Sequence, residues 1–190
     1  MKKEEGLYKF GAIPNGEEVE FEYSDAWATE ALAAINRLAI APRQAQVELI
    51  QDLVTLMSAP FFVLYVLAVP RGGSEPGRYQ STSPQSSQGI EEFLGEFMPY
   101  LQLDGRHELW VKSAHSSDQL VYDRHNVIYA YGDLSKFEVR LKERGLSRVD
   151  AIQTPSPHVH YYHTVFDAEE VRILNYWPWI KSPLRAGDEQ

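Results

Sequence analysis

The sequence contains no cysteine, and this absence excludes several kinds of site at once. Disulfide frameworks, thiolate zinc sites, iron–sulfur clusters and cysteine nucleophiles all depend on that side chain. A chain without cysteine is typical of a reducing compartment. Residues 1–6 begin with positive charge but turn acidic where a signal peptide would have an apolar stretch. We therefore expect a cytoplasmic protein.

Long apolar runs and an excess of basic residues are also missing. The longest apolar run, residues 61–69, lies between two prolines and is far shorter than the roughly 20 residues of a membrane-spanning helix. Lysine and arginine together number 18 against 27 aspartates and glutamates, which gives a formal net charge of −9. That charge repels phosphate backbones and anionic lipids, so we expect no nucleic acid and no membrane as partners.

The short motifs of several enzyme classes are absent as well. The glycines of residues 72–77 lack the lysine and the spacing of a phosphate-binding loop. A serine nucleophile elbow around Ser74 is excluded because Pro76 stands where that motif requires glycine. No HExxH pair of zinc ligands occurs in the chain.

The length of 190 residues indicates a single domain, residues 1–190, with one continuous core. A chain of this size needs neither a disulfide nor a structural metal to be stable, so a bound metal would serve function. Residues 71–89 are rich in serine, glycine and proline and show no periodicity. We expect a long surface loop there.

Two helices are predicted in the first third of the chain. Across residues 24–40, apolar residues from Trp27 to Leu38 recur at helical spacing. Residues 42–59 follow with a broad apolar face and with a proline at their first position, which suits the start of a helix. The two would form a helical hairpin. Further helices are predicted over residues 90–103, 133–145 and 167–177.

Strand patterns occupy most of the remaining chain. Alternating or uniformly apolar stretches rich in β-branched and aromatic residues predict strands, and tight turns join several of them. The predicted strands are residues 7–13, 18–23, 61–69, 107–114, 119–123, 126–131, 148–153 and 158–163. This order lacks a regular βαβ alternation. It predicts an α+β fold with a largely antiparallel sheet of about five to seven strands, on which the helical hairpin and the other helices pack.

The segment around His158 is the strongest candidate for chemistry. In a strand, residues two apart face the same side, so His158, His160 and Tyr162 would share a face. A His-x-His pair can offer two imidazoles to one divalent metal ion, which then requires a third nitrogen or oxygen ligand. The candidates for this third ligand are His125, Asp123, His107 and Asp167, and no spacing in the sequence chooses among them.

The same segment permits two other interpretations. Its histidines and tyrosines could line a polar pocket for an anionic or carbonyl ligand, formed by His158, His160, Tyr162, Arg124, Tyr129 and Tyr131. Alternatively, the segment is a sheet edge whose histidines pair with neighbouring side chains, stabilise the fold and bind nothing. Near the C-terminus, Trp177 and Trp179 are either an aromatic anchor for a partner protein or a contact that holds the last helix on the core.

These observations favour a non-enzymatic module that binds a protein partner or a small polar ligand, with no cofactor expected. The alternative is a metal-dependent, hydrolase-like enzyme in which His158 and His160 hold the ion, His125 or Asp123 completes the site and metal-bound water is the nucleophile. The sequence leaves open whether the His158 segment faces a cleft or the core.

Overall fold

The computed structural model describes residues 6–188, and the acidic N-terminal residues considered above lie largely outside that range. Its helices are α1 (Gln46–Val54), α2 (Ser87–Glu96), α3 (Met98–Leu103), α4 (Leu134–Glu143) and α5 (Asp167–Leu174). Its strands are β1 (Phe10–Ala12), β2 (Val19–Glu20), β3 (Ala26–Ala31), β4 (Asn36–Ala41), β5 (Phe61–Leu67), β6 (Gly77–Ser81), β7 (His107–Ser113), β8 (Gln119–Tyr122), β9 (Ile128–Tyr131), β10 (Ser147–Arg148), β11 (His158–His160) and β12 (Trp179–Ser182).

The strands form one large and one small sheet. Within the described residues, the large sheet has 9 strands in the order β10-β3-β4-β9-β8-β7-β5-β6-β12. All its neighbouring pairs are antiparallel except β10 with β3. The small sheet has 3 strands in the order β11-β1-β2. The predicted α+β class and largely antiparallel sheet are confirmed, and the sheet is larger than predicted.

The five helices lie on one face of the large sheet. Strand β7 shows the reason, because Leu109 and Val111 alternate with half-buried or exposed neighbours and place their side chains in the core. The helices cover these side chains with apolar residues of their own, such as Leu53 from α1, Phe93 from α2 and Phe137 from α4. One continuous apolar cluster therefore joins the helices to the inner face of the sheet.

The small sheet covers one end of the opposite face. There Phe10 of β1 packs in a second apolar cluster with Tyr23, Ala39, Ala41 and Val127. Strands β1 and β2, which lie within the predicted strands 7–13 and 18–23, pair with each other in antiparallel orientation. Strand β11 pairs with the other edge of β1 and brings the His158 segment to this end of the molecule.

The predicted helix over residues 24–40 is wrong, because the structure places the antiparallel strands β3 and β4 there. The predicted helical hairpin is therefore absent from the described chain, and only its second part remains as α1. The reason is burial on both faces of the sheet: Trp27 and Leu38 face the helices, whereas Ala28 and Ala39 lie buried on the other side. Such strands lack the alternation of polar and apolar residues that marks a half-exposed strand. Their alanines are also typical of helices, so the sequence pattern indicated a helix.

The predicted loop over residues 71–89 contains regular structure. Residues Gly77–Ser81 form β6, which pairs with β5 and β12, and α2 begins at Ser87. The remaining loop is held by a tertiary contact, because the Glu170 carboxylate accepts hydrogen bonds from the backbone N–H groups of Arg71 and Gly72, each at 2.8 Å. Glu170 itself lies in the first turn of α5. Its carboxylate therefore connects α5 to this loop.

None of the helices found between residues 6 and 188 combines the length and the apolar character that crossing a bilayer requires.

Candidate metal centre

Two structural elements bring three histidines together. His158 and His160 lie on β11, opposite Ala12 and Phe10 of β1, so both face the same side of the small sheet. His125 lies in the turn between β8 and β9. One nitrogen from each imidazole can be chosen so that all three lie within 4.8 Å of one another. This grouping could hold a metal ion.

The turn that carries His125 is organised by Asp123. The Asp123 carboxylate accepts backbone hydrogen bonds from His125 and Val127 through Oδ1, both at 2.9 Å. Its second oxygen lies 3.2 Å from Nδ1 of His125. Asn126 then adopts a left-handed conformation with φ of 62°, which asparagine tolerates better than most residues. The His125 ring is thereby fixed with Nε2 directed away from Asp123.

The imidazoles of His125 and His158 approach each other through their Nε2 atoms. His125 Nε2 lies 3.2 Å from His158 Nε2. His158 Nδ1 lies 3.1 Å from the carbonyl oxygen of Pro155, which can only accept, so this nitrogen carries the proton. The Asp123 carboxylate places the proton of His125 on Nδ1 for the same reason. In neutral imidazoles both Nε2 atoms then present lone pairs to each other, a repulsive arrangement unless a cation lies between them.

His160 contributes a third imidazole from a more enclosed position. Burial, followed by the positive charge of Arg124 and by the two neighbouring histidines, lowers the pKa of His160 to about 3. The ring is therefore neutral near pH 7, as a metal ligand must be. Its Nδ1 atom is buried and has no hydrogen-bond partner within the described residues. A buried imidazole nitrogen without a partner is unfavourable, and metal coordination would relieve it.

The structure distinguishes among the predicted third ligands. His125 lies with His158 and His160 in the cluster, and the Asp123 carboxylate contacts Nδ1 of His125. His107 lies elsewhere, fully buried between the rings of Tyr65 and Tyr100, at centroid distances of 5.4 and 4.5 Å.

Asp167 also lies apart from the histidines. It accepts hydrogen bonds from the guanidinium groups of Arg71, at 3.1 Å, and Arg106, at 3.2 Å. It is thus engaged in an ion-pair network of the fold.

The predicted polar pocket is divided between two places. Arg124 is buried near His160 and donates hydrogen bonds to the carbonyl of Gly105 and to the Tyr162 hydroxyl, each at 2.8 Å. These contacts occupy Arg124 and Tyr162 with each other.

Tyr129 and Tyr131 lie on the outer face of the large sheet. The Arg37 guanidinium lies 3.7 Å from the Tyr129 ring centroid and donates a hydrogen bond of 3.0 Å to the Tyr131 hydroxyl. Both tyrosines therefore belong to the surroundings of Arg37.

The tryptophans near the C-terminus contact the protein's own core. Trp177 stacks on Phe93 of α2 with ring centroids 4.5 Å apart, and Trp179 donates a hydrogen bond to the carbonyl of Ile173. Both side chains are partly buried against the main apolar cluster.

Two features of the centre could not be predicted from the sequence. The Pro155 carbonyl sets the His158 tautomer, but backbone acceptors leave no signature in a sequence. Phe10 lies beside the centre, with its ring centroid 5.8 Å from that of His125 and 6.3 Å from that of His160. This proximity results from the pairing of β1 with β11, which the sequence does not reveal. The proximity of His125 to β11 likewise depends on long-range topology.

No protein-family model, curated protein or solved structure matches this chain.

Proposed function

We propose that this protein binds one divalent transition-metal ion of the zinc type through His125, His158 and His160, and that the bound ion activates water for a hydrolytic reaction. The observation that carries the proposal is the 3.2 Å approach of two Nε2 atoms whose Nδ1 atoms both face acceptors. A cation between the two rings turns this repulsive contact into a favourable one.

The distances fit coordination of a single ion. Two nitrogens bound at about 2.0–2.1 Å to one tetrahedral ion lie roughly 3.3 Å apart. The His125–His158 separation of 3.2 Å is close to this value. The third imidazole offers a nitrogen within 4.8 Å of the other two, and we expect His160 to move towards the ion to complete three-nitrogen coordination. Imidazole ligands suit zinc, copper, iron and nickel better than they suit magnesium or calcium.

The ring nitrogens that would not bind the ion make the hydrogen bonds that are usual in metal centres. Metal-binding histidines generally donate their other ring N–H to a carboxylate or a backbone carbonyl. His125 meets the Asp123 carboxylate in this way, and His158 meets the Pro155 carbonyl. Both contacts fix the ring orientation and increase the basicity of the coordinating nitrogen.

Three protein ligands leave a fourth position for water. A zinc-type ion lowers the pKa of bound water and makes hydroxide available near neutral pH. An ion held by these histidines would supply hydroxide for attack on a carbonyl or phosphoryl centre, with the water proton released to solvent and a proton taken up by the leaving group. His158 is exposed, which supports access of substrate from solvent. The cysteine-free composition supports a cytoplasmic setting.

The main alternative to a bound metal is a proton shared between His125 and His158. One protonated imidazole between His125 and His158 would also remove the lone-pair repulsion, and the cluster would then stabilise the fold without binding metal. The non-enzymatic binding module favoured by the sequence remains a prediction.

The test is metal binding by full-length protein purified without a histidine tag. Elemental analysis should find close to one zinc-type ion per chain. Titration of metal-free protein with Zn²⁺ should give one site and a higher melting temperature, because a ligand that binds only the folded state stabilises it. Absence of stoichiometric metal together with an unchanged melting temperature would contradict the proposal and favour the shared proton.

The chain supplies a matched control. His125→Ala and His158→Ala should each weaken Zn²⁺ binding strongly, whereas His115→Ala should leave it unchanged. His115 is exposed in the turn between β7 and β8, and its ring lies outside the histidine cluster. Equal affinities in all three variants would show that the ion binds elsewhere.

A further inference from the structure

A second concave site lies beside the histidine cluster. It is a cavity of about 550 Å³ between β1, residues 20–22, the start of α1 and the end of α3. This volume lies within the range of about 300–1,000 Å³ that is usual for small-molecule sites. Within the described residues, none of the three histidines lines it. Its function therefore does not depend on the proposed metal.

One wall of the cavity is aromatic. Tyr8, Phe10 and Phe21 line it, and the rings of Phe10 and Phe21 lie 5.6 Å apart between centroids. Phe10 also contacts His125 and His160 and so separates the cavity from the histidine cluster. Aromatic walls of this kind favour a planar or apolar group of a ligand.

Two opposite charges in the cavity lining are not paired with each other. Arg43 and Glu48 both line the cavity, and within residues 6–188 neither side chain has an ion-pair or hydrogen-bond partner. The Glu48 Oε2 atom is buried and has no hydrogen-bond partner in the described part of the chain. A buried carboxylate oxygen loses hydration without compensation, so a donor group on a ligand would be favourable there. The Arg43 guanidinium offers the donor geometry that matches a carboxylate.

The other charged groups favour a ligand that also carries positive charge. Glu20 and Glu22 line the same cavity, and both have partners of their own, including Gln44 for Glu22. Lys9 lines the cavity as well, so the lining has three acidic groups and two basic ones, and a simple anion would be repelled. A purely apolar ligand would leave Arg43 and Glu48 unpaired.

We propose that this cavity binds a free α-amino acid with an aromatic side chain. The ligand carboxylate pairs with Arg43, its ammonium group pairs with Glu48, and its ring packs against Tyr8, Phe10 and Phe21. This arrangement satisfies both unpaired charges and uses the aromatic wall at the same time.

The test uses L-phenylalanine and two analogues that each lack one charge, with metal-free, full-length protein. The analogue 2-phenylethylamine lacks the carboxylate, and 3-phenylpropanoate lacks the ammonium group. L-Phenylalanine should bind about tenfold or more tightly than either in calorimetric titration, because each lost contact is a hydrogen bond to a charged group. If no compound binds, or if one analogue matches L-phenylalanine, the proposal is overturned.

Variants assign the two ends of the ligand. Glu48→Gln should remove the preference for L-phenylalanine over 3-phenylpropanoate, and Arg43→Gln should remove its preference over 2-phenylethylamine. Because neither side chain has a partner among residues 6–188, both variants should fold normally, which their melting temperatures verify. The exposed controls Glu91→Gln and Lys112→Gln, outside the cavity lining, should bind as the wild type does. Unchanged preferences in the two cavity variants would refute the assignment.

The two proposals can fail separately. Amino-acid binding is measured without metal, and metal binding is measured without amino acid. If the protein binds Zn²⁺ but not L-phenylalanine, the amino-acid proposal is overturned and the metal proposal stands. If it binds L-phenylalanine but not Zn²⁺, the metal proposal is overturned and the amino-acid proposal stands.

Discussion

The guanidinium group of Arg106 lies 2.8 Å from the carboxylate of Glu170, and both side chains are fully buried. Arg106 also pairs with the buried Asp104 carboxylate at 2.7 Å. A single arginine therefore pairs with two carboxylates inside the protein, and one of them, Glu170, holds the loop after β5. Since taking charges out of water is unfavourable, this network depends on all its members.

Replacing Arg106 with methionine should destabilise the protein strongly. Arg106→Met leaves Asp104 and Glu170 buried without their counter-charge, which should lower the free energy of unfolding by about 3–5 kcal/mol. Urea denaturation measures the change. The matched control is Arg172→Met, because Arg172 pairs with Glu169 while its side chain is 50% exposed. An exposed pair should contribute far less than a buried one, because water screens its charges. Equal effects of the two substitutions would argue against the buried network.

Lys9 should make stability depend on pH in the alkaline range. Its side chain is fully buried, with Nζ 3.3 Å from the Leu101 carbonyl oxygen. Burial lowers the pKa of Lys9 from 10.5 to about 7, although Asp123 and Glu108 act in the opposite direction. Between these two values the unfolded chain binds a proton that the folded chain does not. The free energy of unfolding should therefore rise with pH over this window, by up to about 1.4 kcal/mol per pH unit.

The variant Lys9→Met isolates this contribution. The difference in unfolding free energy between wild type and Lys9→Met should change steadily from pH 7.5 to 9.5, because other titrating groups cancel. The same comparison with Lys112→Met, at an exposed position, should be flat. A flat difference for Lys9 as well would mean that the neighbouring acids keep the buried ammonium charged.

Much of the fold was predictable because local patterns and tertiary environment agree along the centre of the chain. Strands β7, β8 and β9 lie within one or two residues of their predicted ranges. Asp133, the first residue of the predicted helix 133–145, caps α4 by accepting a hydrogen bond from the Ser135 N–H. The prediction failed for β3 and β4, where alanines are buried on the outer face beneath the small sheet. It also failed for β6, since a strand of residues 77–81 in a polar context is stabilised by its two neighbours.

The candidate site was predictable only in part. The pair His158 and His160 follows from the two-residue period of a strand. The choice of His125 over His107 does not, because it depends on how β11 docks beside β1 and above the β8–β9 turn. His107 illustrates the difficulty: its sequence context resembles that of a surface strand end, yet its ring lies in the core.

Two glycines with positive φ should respond differently to alanine. Gly132 has φ of 105° and Gly145 has φ of 83°. A Cβ atom at Gly132 would lie 2.8 Å from the Asp118 Cα atom, whereas one at Gly145 would meet nothing within 4 Å. Gly145→Ala should therefore lower the unfolding free energy by about 1 kcal/mol through backbone strain alone. Gly132→Ala adds a steric clash and should lower it by about 2–4 kcal/mol. Thermal denaturation that gave equal losses would contradict the close approach of Gly132 to Asp118.

The last prediction concerns Asp123, which fixes the tautomer of His125. In Asp123→Asn, the amide oxygen can still accept the backbone hydrogen bonds of His125 and Val127 that organise the turn. The amide N–H₂ group then faces His125 Nδ1 and favours the tautomer whose proton lies on Nε2. That nitrogen can no longer bind a metal without losing its proton. Zn²⁺ affinity should fall by about 10–100-fold, the usual effect of removing such a supporting contact.

Competition with a chelator measures the affinity, and the absorption of bound Co²⁺ reports whether three nitrogens still coordinate the ion. The exposed residue Asp150 provides the control, and Asp150→Asn should leave both readouts unchanged. Because the turn is preserved, the melting temperature of metal-free Asp123→Asn should stay close to that of the wild type. An unaltered Zn²⁺ affinity in this variant would mean that His125 does not coordinate through Nε2. A large drop in melting temperature without metal would instead show that Asp123 acts mainly on the turn.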